Sequence, residues 1–111
     1  MANTFKLKTF DGSSTAANAA MTVYTAPGAT TTVVLGITLA NITTSTIYAT
    51  VLIENNDGDN VNFLKGVPIP TGSSIEVMSG NKLILETSDV LKVQSDTANS
   101  LDTSLSIMEQ A

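Results

Sequence analysis

Thr32-Val33-Val34-Leu35-Gly36-Ile37-Thr38-Leu39-Ala40-Asn41 is the stretch on which the fold turns. Its apolar residues recur at a period of two, the spacing of a half-buried β-strand rather than a helix. Val33, Leu35, Ile37 and Leu39 are expected on one face, the core, with Thr32, Val34, Gly36, Thr38 and Ala40 on the other. On that reading Leu35→Ala would cost about 2–5 kcal/mol. The pattern returns in Ile47, Ala49, Val51 and Ile53 against Tyr48, Thr50, Leu52 and Glu54. It returns again in Leu101, Thr103, Leu105 and Ile107 against Asp102, Ser104, Ser106 and Met108.

Shorter strands are read at Met21–Thr25, Val61–Lys65, Ser74–Met78, Lys82–Glu86 and Val90–Ser95. Turn signals separate them: Ala26-Pro27-Gly28, Thr43-Thr44-Ser45, Asn55 to Asn60, Pro70-Thr71-Gly72, Ser79-Gly80-Asn81, Thr87-Ser88-Asp89 and Asp96 to Ser100. Each supplies residues that preset φ or accept positive φ. Together these predict an all-β, antiparallel β-sandwich or jelly-roll-like domain of about 8–9 short strands, with a barrel as the alternative.

An N-terminal strand, Thr4 to Phe10, stands apart. Phe5, Leu7 and Thr9 alternate with Lys6, Lys8 and Phe10, and a run of small and polar residues from Asp11 to Ala20 follows. Residues 1–20 are therefore read as an N-terminal strand or arm plus a small-residue linker, and residues 21–111 as the sandwich. Such a strand can add to a neighbouring sheet, which makes Phe5, Lys6, Leu7, Lys8 and Phe10 the candidate partner interface. The alternative is an ordinary first strand followed by a long loop.

Composition narrows the chemistry. The 111 residues carry 10 Asp and Glu against 5 Lys, a net charge of −5, and contain no Arg, His, Cys or Trp. A chain of this length makes one domain. It has no imidazole base, no thiolate nucleophile and no zinc site of the usual kind. Without arginine it has no bidentate clamp for phosphate or guanine, and its acidity repels a nucleic-acid backbone. No enzymatic activity is expected, and no catalytic, cofactor-binding or metal-ligating residue is assigned. The first ten residues lack the basic start and apolar run of about 7–15 residues that a secretory signal needs. The apolar-leaning Val33 to Ala40 is far short of the roughly 20 residues of a membrane span.

Four local patterns invite chemistry and yield to plainer readings. Ser79-Gly80-Asn81-Lys82 has Ser-x-x-Lys spacing but sits in a turn, without the accompanying Ser-Asp-Asn or Lys-Thr-Gly. Asn55-Asn56-Asp57-Gly58-Asp59-Asn60 gathers oxygen ligands, yet the twelfth position from Asn55 is Gly66 where an EF-hand needs Glu. Asp57-Gly58 is instead a hairpin signal. Paired carboxylates would have to come from Glu54, Glu76, Glu86 or Asp89, the three glutamates being in the solvent-facing phase. Val67-Pro68-Ile69-Pro70 denies donors to a central strand and belongs at an edge or in a crossover.

A resemblance accompanies these patterns. Val23-Tyr24-Thr25-Ala26-Pro27, Thr31-Thr32-Val33-Val34-Leu35-Gly36-Ile37 and Leu39-Ala40-Asn41 resemble the opening of a family of small virion structural proteins of tailed phages, particularly the marine cyanophage type. Val67-Pro68-Ile69-Pro70-Thr71-Gly72-Ser73-Ser74, Gly80-Asn81-Lys82-Leu83-Ile84-Leu85-Glu86 and Asp89-Val90-Leu91-Lys92-Val93 are similar to its central pattern. Ser95 to Asp102 and the closing Ser106-Ile107-Met108-Glu109 fit as well, whereas Met1 to Ala20 departs from the shorter leaders of that family.

The resemblance implies a non-enzymatic particle component: a capsid decoration or cement protein on the outer head surface, or else a tail, neck or fibre component. It implies a homo-oligomer, with a trimer among the options, and the major capsid protein or other virion proteins as partners, without nucleic acid or membrane. Its place would be the virion, assembled in the host cytoplasm. The rival from another class is a carbohydrate- or cell-surface-binding sandwich, which would favour exposed Trp or Tyr. Only Tyr24 and Tyr48 are on offer, both read on the less apolar faces of their strands.

Overall fold

The computed structural model describes residues 3–78 and 82–111. They form nine strands: β1 (Asn3–Phe10), β2 (Met21–Thr25), β3 (Thr31–Asn41), β4 (Ile47–Glu54), β5 (Asn60–Ile69), β6 (Ser74–Glu76), β7 (Leu83–Leu85), β8 (Val90–Ser95) and β9 (Leu101–Gln110). One sheet runs β1-β9-β3-β6, with β7 also paired to β3, and the other runs β2-β8-β4-β5. All pairings are antiparallel. The chain is an all-β sandwich, and among the described residues no helix occurs. The turn at Ser79-Gly80-Asn81, and with it the serine of the Ser-x-x-Lys spacing, lies outside the described residues.

The core is what alternation makes of two facing sheets. Ile37, Leu39, Leu105 and Ile107 from the first meet Ile47, Val51, Leu91 and Val93 from the second, all buried. Each such side chain contributes about 1.5–3 kcal/mol relative to exposure. β4 and β9 keep the expected phase, with Ile47, Ala49 and Val51, and Leu101, Thr103, Leu105 and Ile107, turned inward.

β3 does not keep it. Val34 pairs with Ile107 and Gly36 with Ser106, so Leu35 is an extra residue in a β-bulge. One extra residue exchanges the two faces of everything beyond it. The buried set is therefore Thr32 and Val34 before the bulge, and Ile37, Leu39 and Asn41 after it. The expected core face was half right: Ile37 and Leu39 are inside, while Leu35 is 39% exposed. A similar shift between Thr22 and Tyr24 in β2 turns Tyr24 inward, 5% exposed, against its expected outward phase.

Edges and turns follow the sequence more closely. Val67-Pro68-Ile69 closes β5, the outer strand of the second sheet, where a missing donor costs no ladder bond. Gly66, at φ +65°, takes up the register shift opposite Thr50. The Asn55–Asn60 segment is the β4–β5 hairpin turn. The Asn55 side chain accepts the Asp57 N–H at 2.8 Å, and its carbonyl accepts the Gly58 N–H at 2.9 Å.

The segment from Asp11 to Ala20 carries the chain from the edge of one sheet to the edge of the other, and it is tied down on the way. Gly12 N–H donates to Asp102 Oδ1 at 2.8 Å, Thr15 N–H to Asn99 Oδ1 at 2.8 Å and Asn18 N–H to the Ser95 carbonyl at 2.7 Å. A Cβ on Gly12 would stand 1.8 Å from the Leu101 carbonyl oxygen. A glycine is required at this position because the β9 backbone leaves no room for a side chain.

Candidate functional site

The five candidate interface residues all lie on β1, and pairing decides where each points. Phe5 stands opposite Met108, Lys6 opposite Ile107, Leu7 opposite Ser106, Lys8 opposite Leu105 and Phe10 opposite Thr103. Directly paired residues share a sheet face. Since Thr103, Leu105 and Ile107 are buried, Lys6, Lys8 and Phe10 take the inner phase and Phe5 and Leu7 the outer one. Phe5 and Leu7 are 71% and 68% exposed.

The inner phase of β1 meets a polar cluster that joins both sheets. Lys6 Nζ lies 2.8 Å from Glu109 Oε1. The other Glu109 oxygen accepts the Tyr24 hydroxyl proton, and the Tyr24 oxygen lies 2.8 Å from the Thr32 hydroxyl. With the phenol proton given to the carboxylate, Thr32 is the donor to Tyr24. The Lys6 ammonium first, and the Tyr24 hydroxyl second, hold the Glu109 carboxyl below its ordinary range. Burial, reinforced by the bond to Glu109, pushes the Tyr24 phenol up to about 12. A carboxylate kept ionised beside a phenol kept protonated has no proton to exchange near neutrality. The cluster is a clamp between β1, β2, β3 and β9.

Sequence reading missed this clamp, although a signal for it exists. Continuing the β9 alternation by one step beyond Ile107 puts Glu109 on the core face, and a carboxylate there requires a partner.

The other acidic candidates serve the backbone or surface pairs and do not face one another in a cleft. Asp89, buried, accepts the Asn56 and Glu86 N–H groups on its two oxygens, each at 2.9 Å. Glu76 accepts the Ile37 N–H at 3.2 Å and the Met78 N–H at 3.0 Å, fastening β6 to β3. Glu54 pairs with Lys92 at 2.6 Å, and Glu86 is exposed. The aromatic pair proposed for a sugar platform is divided, because Tyr24 belongs to the clamp and only Tyr48, 49% exposed, faces solvent.

No family model and no curated protein matches this sequence. Solved structures do. A chain of the Bacillus endospore appendages, described as a novel family of disulfide-linked pili, superposes with a TM-score of 0.53 at 14% identity, over 97% of this chain and 84% of that one. A chain of the acidic stable capsid of Helicobacter pylori bacteriophage KHP30 gives 0.53 at 13% identity, over 98% and 87%. A chain of infectious bursal disease virus, Gx strain, gives 0.51 at 12% identity, where 95% of this chain matches only 33% of that one. This sequence has no cysteine, so the disulfide links of the pili have no counterpart in it. At these identities what is shared is the fold: a β-sandwich that phage capsid, viral capsid and pilus structures contain.

Proposed function

We propose that this chain is a virion structural protein of a tailed phage, a capsid decoration or cement protein on the outer head surface. The observation that carries the reading is the extent of the likeness to the phage KHP30 capsid chain, 98% of this chain within a single sandwich. The resemblance to small virion proteins of the cyanophage type supports it from the sequence side. Charge supports an outer position: with 5 Lys against 10 Asp and Glu and no Arg, the protein repels the packaged genome. Of those lysines, Lys6 and Lys92 are held in ion pairs. The partners in this reading are the major capsid protein and further copies of this chain, and its place is the virion, assembled in the host cytoplasm. Residues 1–20 serve as the attachment segment and residues 21–111 as the body, with Phe5 and Leu7 in contact and Lys6, Lys8 and Phe10 behind them. No catalytic step is proposed.

The likeness to pilus subunits favours one second reading, a tail, neck or fibre component. A cryo-EM reconstruction of purified particles separates the two. Hundreds of copies on the head are expected of a decoration protein and a few dozen at most of a neck or fibre protein, while absence from the particle overturns both.

A further inference from the structure

Pairing places β1 at the end of its sheet, with β9 on one side and, among the described residues, no strand on the other. It runs from Asn3 to Phe10 in unbroken register. In a strand the N–H and C=O groups of successive residues point to opposite edges, so half of those in β1 are aimed away from β9, with no sheet partner. β5, the other long outer strand, has no such edge to offer. Two register shifts, Gly66 at positive φ and Pro68 interrupt it.

The side chains along the β1 edge carry a charge opposite to that of the molecule. β1 holds two lysines and no carboxylate in a chain of net charge −5, and no other strand has two lysines. Both are in the inner phase, yet the second sheet does not close over them. Lys6 stays 42% exposed beside Glu109, and Lys8 and Phe10 are only half-buried, whereas Leu105 and Ile107 on the neighbouring strand are buried. Lys8 has no ion pair among the described residues, and the Lys6 ammonium, with three donors, keeps capacity beyond its contact with Glu109.

We infer that the free edge of β1 receives an extended strand of another protein, one that alternates carboxylates with apolar residues and lengthens the first sheet by one strand. Main-chain groups provide the attachment and alternate side chains the choice of strand. Carboxylates two residues apart face Lys6 and Lys8, while the apolar residues between them lie beside Phe5 and Leu7 on the other face. A second copy of β1 is the strand this edge refuses. Of the antiparallel self-pairings that keep the faces matched, the two of greatest overlap set Lys6 against Lys6 or Lys6 against Lys8, and like charges directly opposite destabilise a pair. The lysines close the edge to its own kind and open it to an acidic strand. This deepens the attachment reading of residues 1–20, and only the identity of the strand's owner, a shell protein, rests on that reading.

Amide NMR of the full chain, titrated with an eight-residue peptide alternating Val and Glu, tests it. Binding should shift the amides of β1 and slow hydrogen exchange at alternate residues there, leaving β5 unmoved. Replacing Glu by Ser in the peptide should weaken binding about tenfold, as for two cross-strand ion pairs, and replacing it by Lys should abolish binding. N-methylation of the central peptide residues, which removes the main-chain donors, should abolish it too. Lys8 is partly exposed and outside the clamp, so its variants should melt like the wild type. Lys8→Gln should weaken the Glu peptide about threefold, and Lys8→Glu should make the Glu and Ser peptides bind alike. No binding, shifts centred away from β1, equal affinity for the Glu and Lys peptides, an N-methylated peptide that still binds, or a preference unchanged in Lys8→Glu overturns the inference. Peptide binding by a protein that is absent from purified particles overturns only the virion reading. A particle-bound protein whose β1 takes no peptide overturns only the added strand.

Discussion

The sandwich has two long outer strands, and they are finished in opposite ways. β5 is irregular: its pairing with β4 shifts register twice, and it contains Gly66 at positive φ and Pro68. An edge so broken offers no straight template to another chain. β1 is regular, paired with β9 residue for residue from Asn3 to Phe10, and its safeguard is charge, Lys6 and Lys8 in the inner phase. One edge is disarmed through the backbone and the other through side chains. Only the second method keeps the strand straight, and it leaves Phe5 and Leu7 exposed on the outer side.

Substitutions can break this contrast. The largest effect is expected at Gly12, where the chain leaves β1: Gly12→Ala places a Cβ against the Leu101 backbone and should cost about 3 kcal/mol by urea melting, the upper part of the overpacking range. Next is the clamp beneath β1. Glu109→Ala leaves the buried Tyr24 hydroxyl without its acceptor and should cost about 1–3 kcal/mol at neutral pH.

The wild-type pH profile should carry the same signature. Because the folded state lowers the Glu109 carboxyl below its ordinary 4.5, its contribution is complete above that pH and is lost as pH falls further. Because the folded state raises the Tyr24 phenol from 10 to about 12, its contribution is complete below pH 10 and disappears as pH rises toward 12. Glu109→Ala should flatten the acid limb, and an unchanged limb would mean the clamp is not what titrates.

On the β5 side, Gly66→Ala meets open space but a left-handed backbone, and should cost about 1–2 kcal/mol. Smallest is Phe5→Thr, within about 0.5 kcal/mol for the isolated subunit. A larger loss would show that β1 is held by its outward side chains rather than by pairing and the clamp.

How far the sequence carries a reader depends on whether strands pair one to one. β2 and β8 have the expected bounds, and the inward sets of β4 and β9 are those of simple alternation. Val67-Pro68-Ile69 could be placed at an edge because a missing N–H is a local fact. Leu35 and Tyr24 went astray for a non-local reason: a bulge is set by the partner strand, and a two-residue period has no memory of it. In β2, Met21 and Val23 outweigh Thr22 and Tyr24 in apolarity and do pack against the core, but counting left Tyr24 outside, where the register shift turns it inward. The clamp was hidden likewise, its members coming from four strands spread between Lys6 and Glu109. For the interface residues, alternation separated Phe5 and Leu7 from Lys6 and Lys8, but only register with β9 says which pair is outside.

The pairing of Asn3 with Gln110 also sets an order of events. It closes a loop of almost the whole chain, the most entropically costly closure available to it, so β1 should dock late in folding. During synthesis β1 is made well before its partner, with seven strands between them. Until Gln110 has left the ribosome, β1 waits without a mate, and β9, once made, briefly presents an open edge. In a crowded cell a neighbouring chain can supply the missing strand in that interval, so the rate of self-closure competes with the local concentration of subunits.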